Sequence, residues 1–96
     1  MGIEALRKNH RNQILKLAAQ HGAHNVRVFG SIARGEARPD SDIDFLVERG
    51  PDPSPFFPGG LLMDLQDLLG RRVDIVTERG LHASLRDRVL REAVPL

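Results

Sequence analysis

Two aspartates separated by one residue, Asp42 and Asp44, are the first candidates for chemistry in this sequence. The stretch DIDFLVE predicts a β-strand over residues 42–48, and side chains two apart on a strand point to the same face. Ile43 and Phe45 are apolar and face the core, so the two carboxylates lie side by side on the other face. Close like charges favour a divalent cation, and magnesium prefers carboxylate ligands. Taken alone, the pair also fits a solvated strand end.

A glycine–serine pair is the second candidate. Gly30 and Ser31 directly follow a predicted strand over residues 25–29. A glycine at this point lets a phosphate approach the backbone, and the serine hydroxyl adds a hydrogen-bond donor. The simpler interpretation is a strand-to-helix turn in which Ser31 is the N-cap.

A third aspartate, Asp74, lies in the middle of a predicted strand over residues 72–77, where an acid is unexpected in a β-branched run. If this strand is the neighbour of the strand that carries Asp42 and Asp44, three carboxylates meet on one surface. Three acids around two cations are typical of a site for phosphoryl or nucleotidyl transfer. The alternative is an ion pair between Asp74 and an arginine such as Arg72.

The elements that must position these residues alternate along the chain. Helices are predicted over residues 3–21, 61–69 and 81–93, and strands over residues 25–29, 42–48 and 72–77. A loop with four prolines separates the second strand from the second helix. This order predicts a single α/β or α+β domain over residues 1–96, with helices on one face of a small sheet. In the last helix, Leu81, Leu85 and Val89 are expected to form the apolar stripe.

Composition excludes several classes of function. The chain has 96 residues and no cysteine, which rules out disulfide scaffolds, zinc-thiolate sites and thiol catalysis. A net charge of +1 and four phenylalanines as the only aromatic residues argue against a nucleic-acid binder. No apolar run is long enough for a membrane span, and the N-terminus does not resemble a signal peptide. We therefore expect a cytoplasmic protein that contacts neither membrane nor nucleic acid.

The combined pattern is more specific than its parts. Gly30-Ser31, then Asp42-Ile43-Asp44, then Asp74 on a later strand resemble the signature of the DNA polymerase β-like nucleotidyltransferase superfamily. Phe45 stands where an aliphatic residue is common in that superfamily. More narrowly, the chain resembles a minimal nucleotidyltransferase. The resemblance implies a short mixed sheet with helices packed mainly on one face.

This resemblance also implies an activity, which is the transfer of a nucleoside monophosphate from ATP or another nucleoside triphosphate to a hydroxyl group. Asp42, Asp44 and Asp74 would be the catalytic residues and would hold Mg²⁺, with two ions expected. Gly30 and Ser31 would cradle the β- and γ-phosphates.

Arg34 has two interpretations. By the resemblance it would neutralise phosphate charge. Equally, it could form a salt bridge with Asp40 or Glu36 that fixes the turn. The histidines show no metal-ligand spacing, so we expect His21 at the surface.

The resemblance finally implies a partner. Minimal nucleotidyltransferases are typically antitoxins that add AMP to a HEPN ribonuclease toxin, usually at a tyrosine. Two alternatives stay open, which are transfer to a small molecule such as an aminoglycoside, and a non-catalytic antitoxin that neutralises by binding alone. The segments expected to dock the partner are the loop around Phe56-Phe57, the C-terminal helix with Arg86, Arg88 and Arg91, and the apolar tail Val94-Pro95-Leu96.

Overall fold

Four strands form one mixed sheet in the computed structural model, which describes residues 2–96. The strands are β1 (Ala23–Phe29), β2 (Ile43–Arg49), β3 (Val73–Thr77) and β4 (Val94–Pro95), and the helices are α1 (Ile3–Gln20), α2 (Gly30–Arg34), α3 (Gly59–Leu69) and α4 (Ala83–Glu92). The strand order is β3-β2-β1-β4; β2 and β3 are parallel, and the other pairs are antiparallel. Within residues 2–96, no helix has the length and apolar character of a membrane span.

The main core lies on one face of the sheet. Val28, Phe45 and Ile75 come from the three longer strands and are buried there, as the alternation of apolar residues predicts. Helices α1 and α3 cover this face with Leu6, Ile14, Leu61 and Leu65. The small α+β fold is therefore confirmed, including the mixed sheet with helices mainly on one face.

The opposite face of the sheet carries the polar candidates. Phe29 of β1 lies opposite Asp44 of β2, and Asp44 lies opposite Asp74 of β3. This face is not fully solvated, because Leu46 is completely buried on it. Because this face of the sheet is partly covered, it can form a recess rather than a flat surface.

The C-terminal tail is part of the fold, a feature that the sequence did not indicate; its docking to a partner stays a prediction. Val94 and Pro95 form β4 beside β1, and Leu96 is buried in the core. Arg7 donates a hydrogen bond of 2.6 Å to the Pro95 carbonyl oxygen. A two-residue strand has no periodicity, so no sequence pattern could have indicated it.

The loop between β2 and α3 is fixed to α1 and α3 through His21. One ring nitrogen of His21 lies 2.8 Å from Ser54 Oγ, and the other lies 2.7 Å from Asp64 Oδ2. The expectation of a surface histidine was therefore wrong. In the same loop Phe57 packs against the core, whereas Phe56 is 95% exposed.

Candidate functional site

Strand pairing brings Asp44 and Asp74 together. Parallel register between β2 and β3 places the two residues opposite each other, on the face that points away from Phe45 and Ile75. The expectation that these strands are neighbours is confirmed. Burial, followed by the nearby charges of Asp74, Asp42 and Glu92 in that order, raises the pKa of Asp44 from 3.8 to about 6, although Arg34 partly opposes the shift. The cations near Asp44 therefore do not offset its burial and its acidic neighbours.

Gly30 stands directly against this carboxylate. Its φ is 75°, in the left-handed region that favours glycine, and a Cβ built on it would collide with Asp44 Oδ2. Gly30 therefore makes room for the Asp44 carboxylate directly against the backbone at the end of β1. Ser31 follows in the first turn of α2, but the N-cap of that helix is Phe29 and no side chain caps it. The N-cap interpretation of Ser31 is wrong.

Asp42 makes an ion pair that the sequence did not indicate. Its carboxylate lies 3.1 Å from Arg72 Nε, so Arg72 pairs with Asp42 and not with Asp74. Within residues 2–96, no three acidic or histidine side chains are arranged as a ready set of metal ligands. The expected meeting of three carboxylates is therefore incomplete, and Asp42, which precedes β2, is paired with Arg72 instead.

The donor atoms nevertheless fit a hard cation. Carboxylate oxygens are the ligands that Mg²⁺ prefers, and Asp44 is a carboxylate whose ionisation burial and neighbouring charges oppose. The Arg72 side chain is 81% exposed, so its bond to Asp42 is screened by water and is easily exchanged. Asp42 and Asp44 can both take part in a cation site at the start of β2.

A cleft of about 460 Å³ opens beside these residues. Its volume is in the range of small-molecule sites. One wall comes from the end of β1, from α2 and from the start of β2, and the other comes from α4. The lining residues are Phe29, Gly30, Ser31, Arg34, Ser41, Asp42, Asp44, Leu85, Arg88, Val89 and Glu92.

Arg34 lies in this cleft, but its charge is already paired. The guanidinium binds Glu92 of α4 and lies 3.5 Å from Glu36. The hydrogen bond to Glu92 is also the main reason why the pKa of Arg34 is raised. The alternative of a salt bridge to Glu36 is thus confirmed, whereas the pair with Glu92 was not foreseen.

The four α4 residues of the cleft were missed at the sequence level. Leu85, Arg88, Val89 and Glu92 follow the spacing i, i+3, i+4, i+7, which draws one face of a helix. That spacing groups the four residues on one face of a helix, but it does not indicate that this face lines the cleft. The stripe of Leu81, Leu85 and Val89 was only partly correct, because Leu85 is 49% exposed and Val89 alone in α4 is buried.

A second, larger cleft of about 600 Å³ lies at the other ends of β2 and β3. It is lined by His24, Glu48, Arg49, Gly50, Pro51, Thr77, Glu78 and Arg79. None of the aspartates or the Gly30-Ser31 turn reaches it. Its acidic side chains are paired within the protein, since Glu48 binds His24 and Glu78 binds Arg27. The smaller cleft therefore remains the candidate site.

Comparison with known proteins gives a consistent result. The family model described as "Nucleotidyltransferase domain" matches residues 10–96. Over 92 residues the chain is 39% identical to protein adenylyltransferase MntA of Thermococcus cleftensis, with 96% of this chain and 90% of the relative covered. A solved structure described as a candidate minimal nucleotidyltransferase is 54% identical, with a TM-score of 0.84 over 100% of this chain and 97% of that chain. A crystal structure of a toxin-antitoxin with AMP-PNP is 26% identical, with a TM-score of 0.74 over 88% of this chain and 69% of that chain.

Proposed function

This chain belongs to the nucleotidyltransferase domain family, and on that premise we propose that it transfers AMP from ATP to a hydroxyl group of a partner protein. One observation carries the proposal, which is the pairing of Asp44 with Asp74 on adjacent strands, with the Asp44 carboxylate directly against the Gly30 turn. Acids beside an exposed backbone turn suit the binding of a metal–polyphosphate.

In this proposal Asp42, Asp44 and Asp74 hold Mg²⁺, with two ions expected. When bound, Mg²⁺ would offset the charge of the phosphate oxygens and favour ionisation of the acceptor hydroxyl. Asp42 would exchange its solvent-screened ion pair with Arg72 for the cation.

The other groups of the chain bind the nucleotide and move one proton. Gly30 lets the β- and γ-phosphates approach the backbone, and the Ser31 hydroxyl donates to a phosphate oxygen. The acceptor oxygen forms a bond to the α-phosphorus, the bond between the α-phosphorus and the bridging oxygen breaks, and pyrophosphate leaves. Asp74 is exposed and accepts the proton of the acceptor hydroxyl.

We assign the partner to the HEPN class of toxins, with a tyrosine as acceptor and this chain as the antitoxin. Three observations support the assignment. A relative of 39% identity is named as a protein adenylyltransferase, and a similar fold occurs in a toxin-antitoxin crystal structure with AMP-PNP. The exposure of Asp74 also leaves the acceptor side of the site open to another protein. AMP added to such a toxin brings negative charge to its RNA-binding surface.

The test uses the purified complex of this chain with its partner. Incubation with ATP and Mg²⁺ should increase the mass of the partner by whole AMP groups, and chelator should prevent the increase. Asp44→Asn should abolish the transfer, whereas Asp67→Asn, an exposed acid of α3, is the matched control and should not. No gain of mass with the wild-type chain would contradict the proposal.

A second measurement separates modification from simple binding. The modified partner is washed free of this chain and its ribonuclease activity is assayed. Continued inactivity is expected. Full activity with AMP still attached would replace the proposal with neutralisation by binding alone.

A further inference from the structure

Helix α4 buries few of its side chains against the rest of the protein. Val89 is its one buried residue, and all six residues from Ala83 to Arg88 are exposed. The helix packs against α2, to which the Arg34–Glu92 ion pair ties it. A helix of this kind is expected to have a role other than filling the core.

One face of α4 is turned to the cleft. Leu85, Arg88, Val89 and Glu92 all line it, and together they make a continuous stripe on the helix. Arg86 and Arg91 lie on the other sides of the helix and do not line the cleft. All three arginines of α4 are exposed, but the orientation of the helix places only Arg88 in the lining of the cleft.

Arg88 differs from the other cation of the cleft in its ion pairing. Arg34 and Arg88 are the two cations among the lining residues. Arg34 is bound to Glu92 and lies near Glu36, whereas Arg88 forms no ion pair within 4 Å among residues 2–96. A polyphosphate in this cleft would meet one cation that is already neutralised and one that is not.

Leu85 supplies the apolar part of the same wall. Its side chain is 49% exposed and lines the cleft one helical turn from Arg88. Phe29 lies in the lining of the opposite wall. An exposed leucine across a cleft from a partly buried phenylalanine is suited to cover a flat apolar group such as a nucleobase.

We propose that α4 completes the nucleotide site, with Arg88 binding the phosphates and Leu85 packing against the nucleoside. The inference rests on the proposed function and deepens it, because it assigns a grip for the nucleotide within this chain. It also moves the role of phosphate cation from Arg34 to Arg88. Arg34 then acts with Glu92 to position the helix.

Calorimetric titration with two probes, AMP-PNP and inorganic tripolyphosphate, each with Mg²⁺, tests this division of roles. Arg88→Ala should weaken binding of both probes about tenfold, since one charge-assisted contact is lost. Leu85→Ala should weaken AMP-PNP about fivefold and leave tripolyphosphate unchanged, because only AMP-PNP carries a nucleoside. Arg91→Ala removes the same charge from the other side of α4 and should change neither.

The outcomes are distinct from those of the proposed function. If wild-type chain binds AMP-PNP but Arg88→Ala and Leu85→Ala bind it equally well, the inference is wrong while the function stands. Equal losses in Arg88→Ala and Arg91→Ala would also overturn it, because they indicate general charge attraction. If wild-type chain binds neither probe, the proposed function itself fails. Circular dichroism of each variant confirms that α4 is retained.

Discussion

Asp44 should destabilise the free protein, and its replacement by asparagine should therefore stabilise the fold. The side chain is half-buried beside Asp74, with Asp42 and Glu92 close enough to raise its pKa. Asparagine has nearly the same shape and carries no charge. Asp44→Asn removes the repulsion without opening a cavity, so packing is expected to stay the same.

The size of the effect follows from the pKa. Raising it from 3.8 to about 6 corresponds to about 3 kcal/mol at ~1.4 kcal/mol per tenfold change. Because the carboxylate is half exposed, water and salt reduce both the cost of burying its charge and the repulsion, and we expect a gain of about 1–2 kcal/mol in the free energy of unfolding at pH 8. In a domain of this length, that is a rise in Tm of about 5–10 °C.

The sign of the pH dependence is fixed as well. A carboxyl whose pKa is raised in the folded state contributes most stability below 3.8, its value when unperturbed, and this stability is lost as the pH rises through about 6. The difference in Tm between Asp44→Asn and wild type should thus be small at pH 4, grow towards pH 6 and level off above pH 7.

Thermal unfolding in chelator across this pH range is the assay, with Asp67→Asn as the control for loss of an exposed aspartate. Added Mg²⁺ should raise the Tm of wild type and not that of Asp44→Asn, because a ligand stabilises only the state that binds it. The reasoning would be refuted if Asp44→Asn were no more stable than wild type at pH 8, or if its gain did not vary with pH.

Three further substitutions test other parts of the structure. Gly30→Ala should lower the free energy of unfolding by at least about 1 kcal/mol more than Gly35→Ala, as measured by denaturant unfolding. Both glycines have φ 75°, but only a Cβ at Gly30 meets Asp44. Equal losses of stability would contradict the collision. Glu78→Gln should cost about 2 kcal/mol, since it leaves the nearly buried guanidinium of Arg27 without its charged partner, with Glu36→Gln as an exposed control. His21→Ala should cost about 1–2 kcal/mol and speed proteolysis of the loop at residues 50–58, whereas the exposed His24→Ala should do neither.

Most of the fold could be predicted because apolar residues recur at regular spacing within its longer helices and strands. Apolar residues alternate in β2 and β3 and recur with helical spacing in α1 and α3, and the structure places these residues in the core. Features that depend on a few residues or on distant partners could not be predicted. The two-residue strand β4 has no period to detect, and the bonds of His21 depend on residues 33 and 43 positions away.

The candidate site was predictable for a different reason, which is that its residues depart from the rules of folding. Asp44 and Asp74 put charge into the second position of strands β2 and β3, and Gly30 puts a left-handed residue directly after β1. Such departures reduce stability, and for that reason they indicate candidate functional positions in a sequence. The α4 residues of the cleft follow the rules, because Leu85, Arg88 and Glu92 fit an ordinary amphipathic helix. These residues can be recognised as part of the cleft only once the orientation of α4 is known. That orientation depends on how α4 packs against α2, and no local sequence pattern specifies this packing.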